Sequence, residues 1–290
     1  MKPIIFALPG NESLAKNIAN AIHAEEGQVI IREFPDGETY IRVLSDVKNR
    51  KIVLVCTLID PNKKMLPLYF LSKTIKSLGA MSVCLVTPYL SYMRQDKVFI
   101  SGEGVTSEYF ASLISGFVDK LITIDPHLHR RKNMNEIYTI PSEILHTSLL
   151  ISSYIRKHIK DPILIGPDVE SKQWVSVIAE KANAPFIILE KTRHGDKNVS
   201  VTFPSIEKFK DHTPVLVDDI ISTARTMIET VKHLKKTNMK PPVCIGVHAV
   251  FSDNSYESLK DSGVGQIITC NTIEHESNKI DITKLIAKKL

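Results

Sequence analysis

Cysteine is scarce in this chain and never placed for shared work. Only four of 290 residues are cysteine. Cys56, Cys84, Cys244 and Cys270 each stand alone in an apolar, strand-like run such as IVLVCTLI or PPVCIGVHAV. No two have zinc-ligand spacing, so they read as buried thiols of a reducing compartment. Long apolar runs are missing too. The best candidate, Met81 to Met93, is interrupted by Ser82, Thr87, Pro88, Ser91 and two tyrosines, well short of the roughly 20 apolar residues that span a bilayer. The opening Met-Lys-Pro-Ile-Ile-Phe-Ala-Leu-Pro-Gly lacks the charged, apolar and small-residue regions of a secretory leader and reads as a strand. Charge shows little bias, with 37 basic against 32 acidic residues and a net +5, too mild to name a partner. Basic residues cluster at His127 to Lys132 and at Lys232 to Lys236, but the second cluster lies on a helical pattern with Val231 and Leu234 facing inward, a solvated face and not a nucleic-acid stripe. The expectation is a cytoplasmic globular protein that uses neither membrane nor nucleic acid.

With 43% hydrophobic and 24% charged residues, the chain is large enough for one big domain or two ordinary ones. Short β-branched runs alternate with helical patterns from end to end, the signature of an α/β protein with largely parallel sheets. Strands are expected at Ile4 to Leu8, Val29 to Glu33, Thr39 to Val43, Ile52 to Thr57, Ser82 to Thr87 and Lys120 to Ile124. The second half repeats the plan at Ile163 to Gly166, Phe186 to Leu189, Val199 to Thr202, Val215 to Val217, Val243 to Val247 and Gln266 to Thr269. Leu14, Ile18 and Ile22 recur at helical spacing behind the candidate caps Asn11 and Ser13. A join near Thr139 to Glu143 divides the chain into two stacked α/β domains, residues 1–141 and 142–290, and their interface is a natural substrate cleft. The final segment, Ile282 to Leu290, is a short helix that fits either domain.

The sharpest local feature is Val215-Leu216-Val217-Asp218-Asp219-Ile220-Ile221-Ser222-Thr223-Ala224-Arg225-Thr226, an apolar strand running into two carboxylates and a hydroxyl-rich turn that opens a helix. Ligands bind at the carboxyl ends of parallel strands. Asp218 and Asp219 can accept hydrogen bonds from vicinal hydroxyls or approach a cation, while Ser222, Thr223 and Thr226 with free N–H groups make an anion cradle suited to a sugar phosphate. The same residues could simply cap the helix.

That pattern resembles the phosphoribosyl-diphosphate (PRPP) loop common to phosphoribosyltransferases and PRPP synthetases. Three further segments, Phe34-Pro35-Asp36-Gly37-Glu38-Thr39-Tyr40-Ile41-Arg42, Pro88-Tyr89-Leu90-Ser91-Tyr92-Met93-Arg94-Gln95-Asp96-Lys97 and Asp125-Pro126-His127, look like synthetase hallmarks in the synthetase order. The resemblance spans about residues 5 to 275 and is to ribose-phosphate pyrophosphokinases of the short archaeal-like type. It implies two stacked phosphoribosyltransferase-like domains, ATP on the first and ribose 5-phosphate on the second.

Residue by residue, Phe34 offers an aromatic face for a purine, and Asp36 and Glu38 offer acceptors for its exocyclic amine across a turn at Gly37. A plain hairpin explains the same residues. The resemblance implies that this site is shared between subunits, hence a homo-oligomer of at least two chains. It also implies that Arg94 and Gln95 contact the nucleotide and that His127 and Asp168 hold Mg²⁺. A histidine ligand is unusual for that metal. Lys191 and Arg193, in Glu190-Lys191-Thr192-Arg193-His194-Gly195-Asp196, match a mobile catalytic loop; on extended chain they share a side and could neutralise a transferring diphosphoryl group, or be surface charges only. His129 has no counterpart and reads as a surface residue. Two departures stand out: Arg225 where glycine is usual in the cradle, and Glu170 with Ser171 where a glycine pair is usual after Asp168. The implied activity is diphosphoryl transfer from ATP to ribose 5-phosphate. A phosphoribosyltransferase and a catalytically silent regulatory homologue are the alternatives.

Overall fold

The computed structural model describes residues 2–128, 130–167, 171–194, 198–202, 207–237 and 239–290, with backbone alone for 190–194, 198–202 and 207. The chain divides into two units, Met1–Leu145 with Thr283–Leu290, and His146–Ile282.

In the first unit, strands β1 (Ile4–Ala7), β2 (Glu25–Glu26), β5 (Lys51–Val55), β6 (Ser82–Thr87), β7 (Lys120–Ile124) and β8 (Ser142–Leu145) form one sheet in the order β2-β1-β5-β6-β7-β8. Every neighbouring pair is parallel. Parallel neighbours require crossovers, which helices α1 (Glu12–Ile22), α2 (Pro61–Ser77) and α3 (Thr106–Ser115) supply. Strands β3 (Val29–Glu33) and β4 (Thr39–Val43) stand apart as an antiparallel ribbon. Alternation sorts the ribbon's faces. Val29, Ile31, Ile41 and Val43 pack on the core around Phe6, Leu54 and Leu85, while Ile30, Arg32, Phe34 and Arg42 remain exposed.

The second unit repeats this plan. Strands β9 (Pro162–Gly166), β10 (Phe186–Ile188), β13 (Thr213–Ile221), β14 (Val243–Ala249), β15 (Gln266–Cys270) and β16 (Asn278–Ile280) order as β10-β9-β13-β14-β15-β16, again all parallel. A second antiparallel ribbon, β11 (Glu190–His194) with β12 (Asn198–Thr202), is inserted at the corresponding place. Helices α4 (Ser148–His158), α5 (Lys172–Ala182), α6 (Arg225–Lys235) and α7 (Ser255–Asp261) complete the unit. Strand β14 is buried along its whole length, which is why Val243 to Val247 reads as a continuous run without polar residues instead of an alternating one. Helix α6 buries Met227, Val231 and Leu234 at spacings of four and three, each contributing roughly 1.5–3 kcal/mol of transfer free energy.

The last helix, α8 (Thr283–Ala287), returns to the first unit and packs against α1. Just beyond it, Glu143 on β8 bridges Lys289 at 2.6 Å and Lys120 at 3.3 Å, and hydrogen bonding from Lys289 holds the Glu143 carboxyl below its usual range. Cys56, Cys244 and Cys270 are buried and Cys84 is half-buried. Burial pushes the Cys56 and Cys84 thiols up to about 12, so they remain protonated and inert. Among the described residues no helix is long and apolar enough to cross a membrane.

Candidate active site

Strand β13 lies between β9 and β14 near the middle of its sheet. It runs four residues beyond the Val215 to Val217 expected from sequence, because Asp218, Ile220 and Ile221 still pair with Gly246, His248 and Ala249 of β14. The carboxylates Asp218 and Asp219 therefore lie within the strand. Asp218 Oδ1 accepts the Asp219 backbone N–H at 3.0 Å, and both residues are half-buried. Gly246, beside Asp218, admits no side chain, since a Cβ there would come within 2.6 Å of Ile221.

The turn into α6 passes through Ser222, Thr223 and Ala224. Ala224 is left-handed, with φ 54°, and buried in the second unit's core. A left-handed and buried position favours a very small side chain. Arg225 is the first residue of α6 and exposed, with no positive φ, so its backbone does not call for glycine. Thr223 is exposed and Thr226 half-buried. The turn is tied to the loop that follows β14. Ser252 N–H and Ser255 Oγ donate to the Ser222 carbonyl at 3.1 and 2.7 Å, Phe251 N–H donates to Ile221 O at 2.8 Å, and the Ser222 and Ser252 hydroxyls are 2.9 Å apart. Phe251 and Asp253 in this loop also have positive φ, 40° and 54°. Strain of this kind concentrates at functional sites. Nothing in the sequence marks Ser252 or Ser255 as partners of Ser222, some thirty positions earlier.

The expected nucleotide residues belong to the first unit. At the ribbon tip Phe34 N–H donates to Glu38 O at 2.8 Å and Gly37 N–H to Phe34 O at 2.9 Å. Gly37 has φ 88°, which closes the turn, and Asp36 Oδ1 accepts the Glu38 N–H at 3.3 Å. Phe34, Asp36 and Glu38 are all exposed. Arg94 and Gln95 follow β6 on a loop whose Leu90 and Met93 are buried in the core. Arg94 is exposed, whereas Gln95 Oε1 accepts from Thr106 Oγ1 at 2.9 Å and so braces the start of α3. Beside them Asp96 holds Arg130 through both carboxylate oxygens, at 2.9 and 3.2 Å. His127 is half-buried after the adjacent strand β7, just past Asp125, a buried residue at φ 33°. The structure thus brings Arg94, Gln95 and His127 to neighbouring loops.

Asp168, Glu170 and His129 lie outside the described residues. Lys191 and Arg193 occupy alternate positions of β11, opposite Val201 and Val199, and only their backbone is described. Among the described residues no group of three or more His, Cys, Asp or Glu could hold a metal ion. Magnesium does not need one, because it is commonly held by one or two carboxylates together with substrate phosphates and water. The oxygen donors of Asp218 and Asp219 fit that description, and the nitrogen of His127 fits it less well.

Two repeated parallel sheets, the second with a hydroxyl-rich strand-to-helix turn at its centre, define a protein of the phosphoribosyltransferase fold. A family model described as the N-terminal domain of ribose phosphate pyrophosphokinase matches residues 3–117, and a phosphoribosyl transferase domain model matches residues 133–283. A ribose-phosphate pyrophosphokinase from Methanosarcina mazei is 31% identical, covering 99% of this chain and 94% of its own length. One from Saccharolobus solfataricus is 30% identical, with 97% and 96% covered. The crystal structure of phosphoribosylpyrophosphate synthetase from Mycobacterium smegmatis has the same fold, with a TM-score of 0.86 at 21% identity over 100% of this chain and 97% of that one. The chain belongs to the ribose-phosphate pyrophosphokinase family.

Proposed function

We propose that the chain transfers the β,γ-diphosphoryl group of ATP to the anomeric hydroxyl of ribose 5-phosphate, giving PRPP and AMP. The observation that carries this reading is the Asp218 to Thr226 turn, where carboxylates, hydroxyls and a helix start converge at the carboxyl end of a central strand, within a family whose relatives are named for this reaction.

Ribose 5-phosphate binds along Asp218, Asp219, Ser222, Thr223, Ala224, Arg225 and Thr226, its hydroxyls on the carboxylates and its phosphate at the start of α6. ATP binds the first unit through Phe34, Asp36, Glu38, Arg94 and Gln95. The exposure of the ribbon tip supports an adenine site completed by a second copy of the chain, and the working protein is then a homo-oligomer. As the anomeric oxygen bonds to the β-phosphorus, the hydroxyl loses its proton and AMP leaves with the bridging oxygen. His127 and Asp168 would hold Mg²⁺, which would supply neutralisation of the phosphate charge. Lys191 and Arg193 stabilise the charge that builds in the transition state. Positioning and electrostatics supply most of the catalysis in phosphoryl transfer, and no strong general base is required. The cytoplasm, expected from the sequence, is the location this reading assigns to the reaction.

The test is to incubate the purified chain with ATP, Mg²⁺ and ribose 5-phosphate. AMP and PRPP should form in equal amounts. AMP produced only from adenine and PRPP would make it a transferase, and ligand binding without turnover in either mixture would make it a regulatory homologue.

A further inference from the structure

The outward face of the β3–β4 ribbon holds a cluster of which the reaction scheme uses only Phe34. Arg32 and Tyr40 are direct cross-strand partners, and Phe34 lies two residues beyond Arg32 on the same face. The Arg32 guanidinium carbon is 4.3 Å from the Tyr40 ring centroid and 4.7 Å from that of Phe34. The two rings meet edge to face, 5.7 Å apart at 87°. One cation therefore fills the corner between two perpendicular rings. Among the described residues no carboxylate lies within ion-pair distance of Arg32, so within the chain its charge is met by π-faces. Phe34 is still 40% exposed.

A ring at a ribbon tip has no core to hold it. Unsupported, it samples several rotamers, and binding a ligand must then immobilise it. A guanidinium against one face restricts the ring and leaves the opposite face open. It also draws π-density toward itself, which improves stacking with an electron-rich base on the open side. Lysine could supply the charge but not the planar contact.

We infer that Arg32 is a positioning residue for nucleotide recognition, holding Phe34 with one face preset for a purine while Tyr40 fixes Arg32 from the neighbouring strand. The inference deepens the proposed adenine site and rests on it. Steady-state kinetics of the intact protein separate the two. Phe34→Ala should raise the KM for ATP about tenfold or more. Arg32→Ala should raise it about fivefold, with kcat and the KM for ribose 5-phosphate within about twofold of the parent, and Arg32→Lys should recover less than half of that loss on a logarithmic scale. In a Phe34→Ala background, Arg32→Ala should add less than about twofold, because its effect passes through the missing ring.

If Phe34→Ala leaves the KM for ATP unchanged, the adenine site itself is wrong and the inference falls with it. If Phe34→Ala weakens ATP while Arg32→Ala does not, only the inference fails. A full fivefold loss in the double variant would mean that Arg32 touches the nucleotide directly. An equal loss in Arg42→Ala, the exposed arginine two residues past Tyr40 on the same face, would reduce the effect to net charge. Either result would overturn the positioning role.

Discussion

The loop that follows β5 in the first unit and the loop that follows β13 in the second hold the same place in a repeated topology. Their backbones agree where it matters, since the residue just ahead of the next helix is left-handed in both, Asp60 with φ 49° and Ala224 with φ 54°. The chemistry is opposite. In the first unit Asp60 brings a negative charge and Pro61 removes an N–H from the helix start, while Asn11 Oδ1 takes the Thr57 N–H at 2.8 Å, Tyr89 O takes the Leu58 N–H at 2.9 Å and Lys64 Nζ caps Thr57 O at 2.8 Å. That loop's backbone is taken up by partners from elsewhere in the first unit. The second presents Thr223, Arg225 and Thr226 at a helix start without proline, with Ser222 braced from behind by Ser252. Topology makes the turn twice, and the side chains differ between the copies. The ribbons differ in the same way, because β3–β4 carries rings and carboxylates at its tip, whereas β11–β12 carries the two cations Lys191 and Arg193.

The contrast between ribbons can be broken most decisively at the cations. Lys191→Ala and Arg193→Ala should each lower kcat by roughly 10²-fold or more with little change in KM. A normal kcat in both variants would make the second ribbon as remote from the chemistry as any surface hairpin. The contrast between loops is tested next. Arg225→Ala should raise the KM for ribose 5-phosphate by about 10-fold at low ionic strength and leave that for ATP alone, as one charge-assisted contact is lost. Asp60→Ala, at the corresponding loop, should change neither. An unchanged KM in Arg225→Ala would leave phosphate binding to hydroxyls and backbone. The smallest effect concerns the bracing of the second loop. Ser252→Ala removes one hydroxyl contact worth about 1 kcal/mol and should raise the KM for ribose 5-phosphate by about three- to fivefold at unchanged kcat, with Ser252→Thr restoring it. Equal weakening of both substrates would assign Ser252 a general structural role.

Much of this was legible because it is local. Lys120 to Ile124 and Ser82 to Thr87 are apolar runs of strand length between polar turns, and the structure gives the same ends. Strand β2 escaped because its two residues, Glu25 and Glu26, are both exposed and carry no apolar signal. Strand β13 was read short because two aspartates look like the end of a strand, yet pairing with β14 continues through Ala249. The asparagine expected to cap α1 stands at the cap position without making the cap bond. Its side chain instead accepts from Thr57 and donates to Leu8 and Pro9.

The sequence by itself determined the α/β class, the repeated succession of strands and helices, and the residue types at each turn, since these depend on neighbours within a few positions. Tertiary structure alone decided that Arg32 reaches two rings, that Ser252 meets Ser222, that the two matching turns find different partners, and that the final helix closes the first unit. Those contacts join residues set far apart by strand register and crossover, and spacing along a chain does not encode which strand lies beside which.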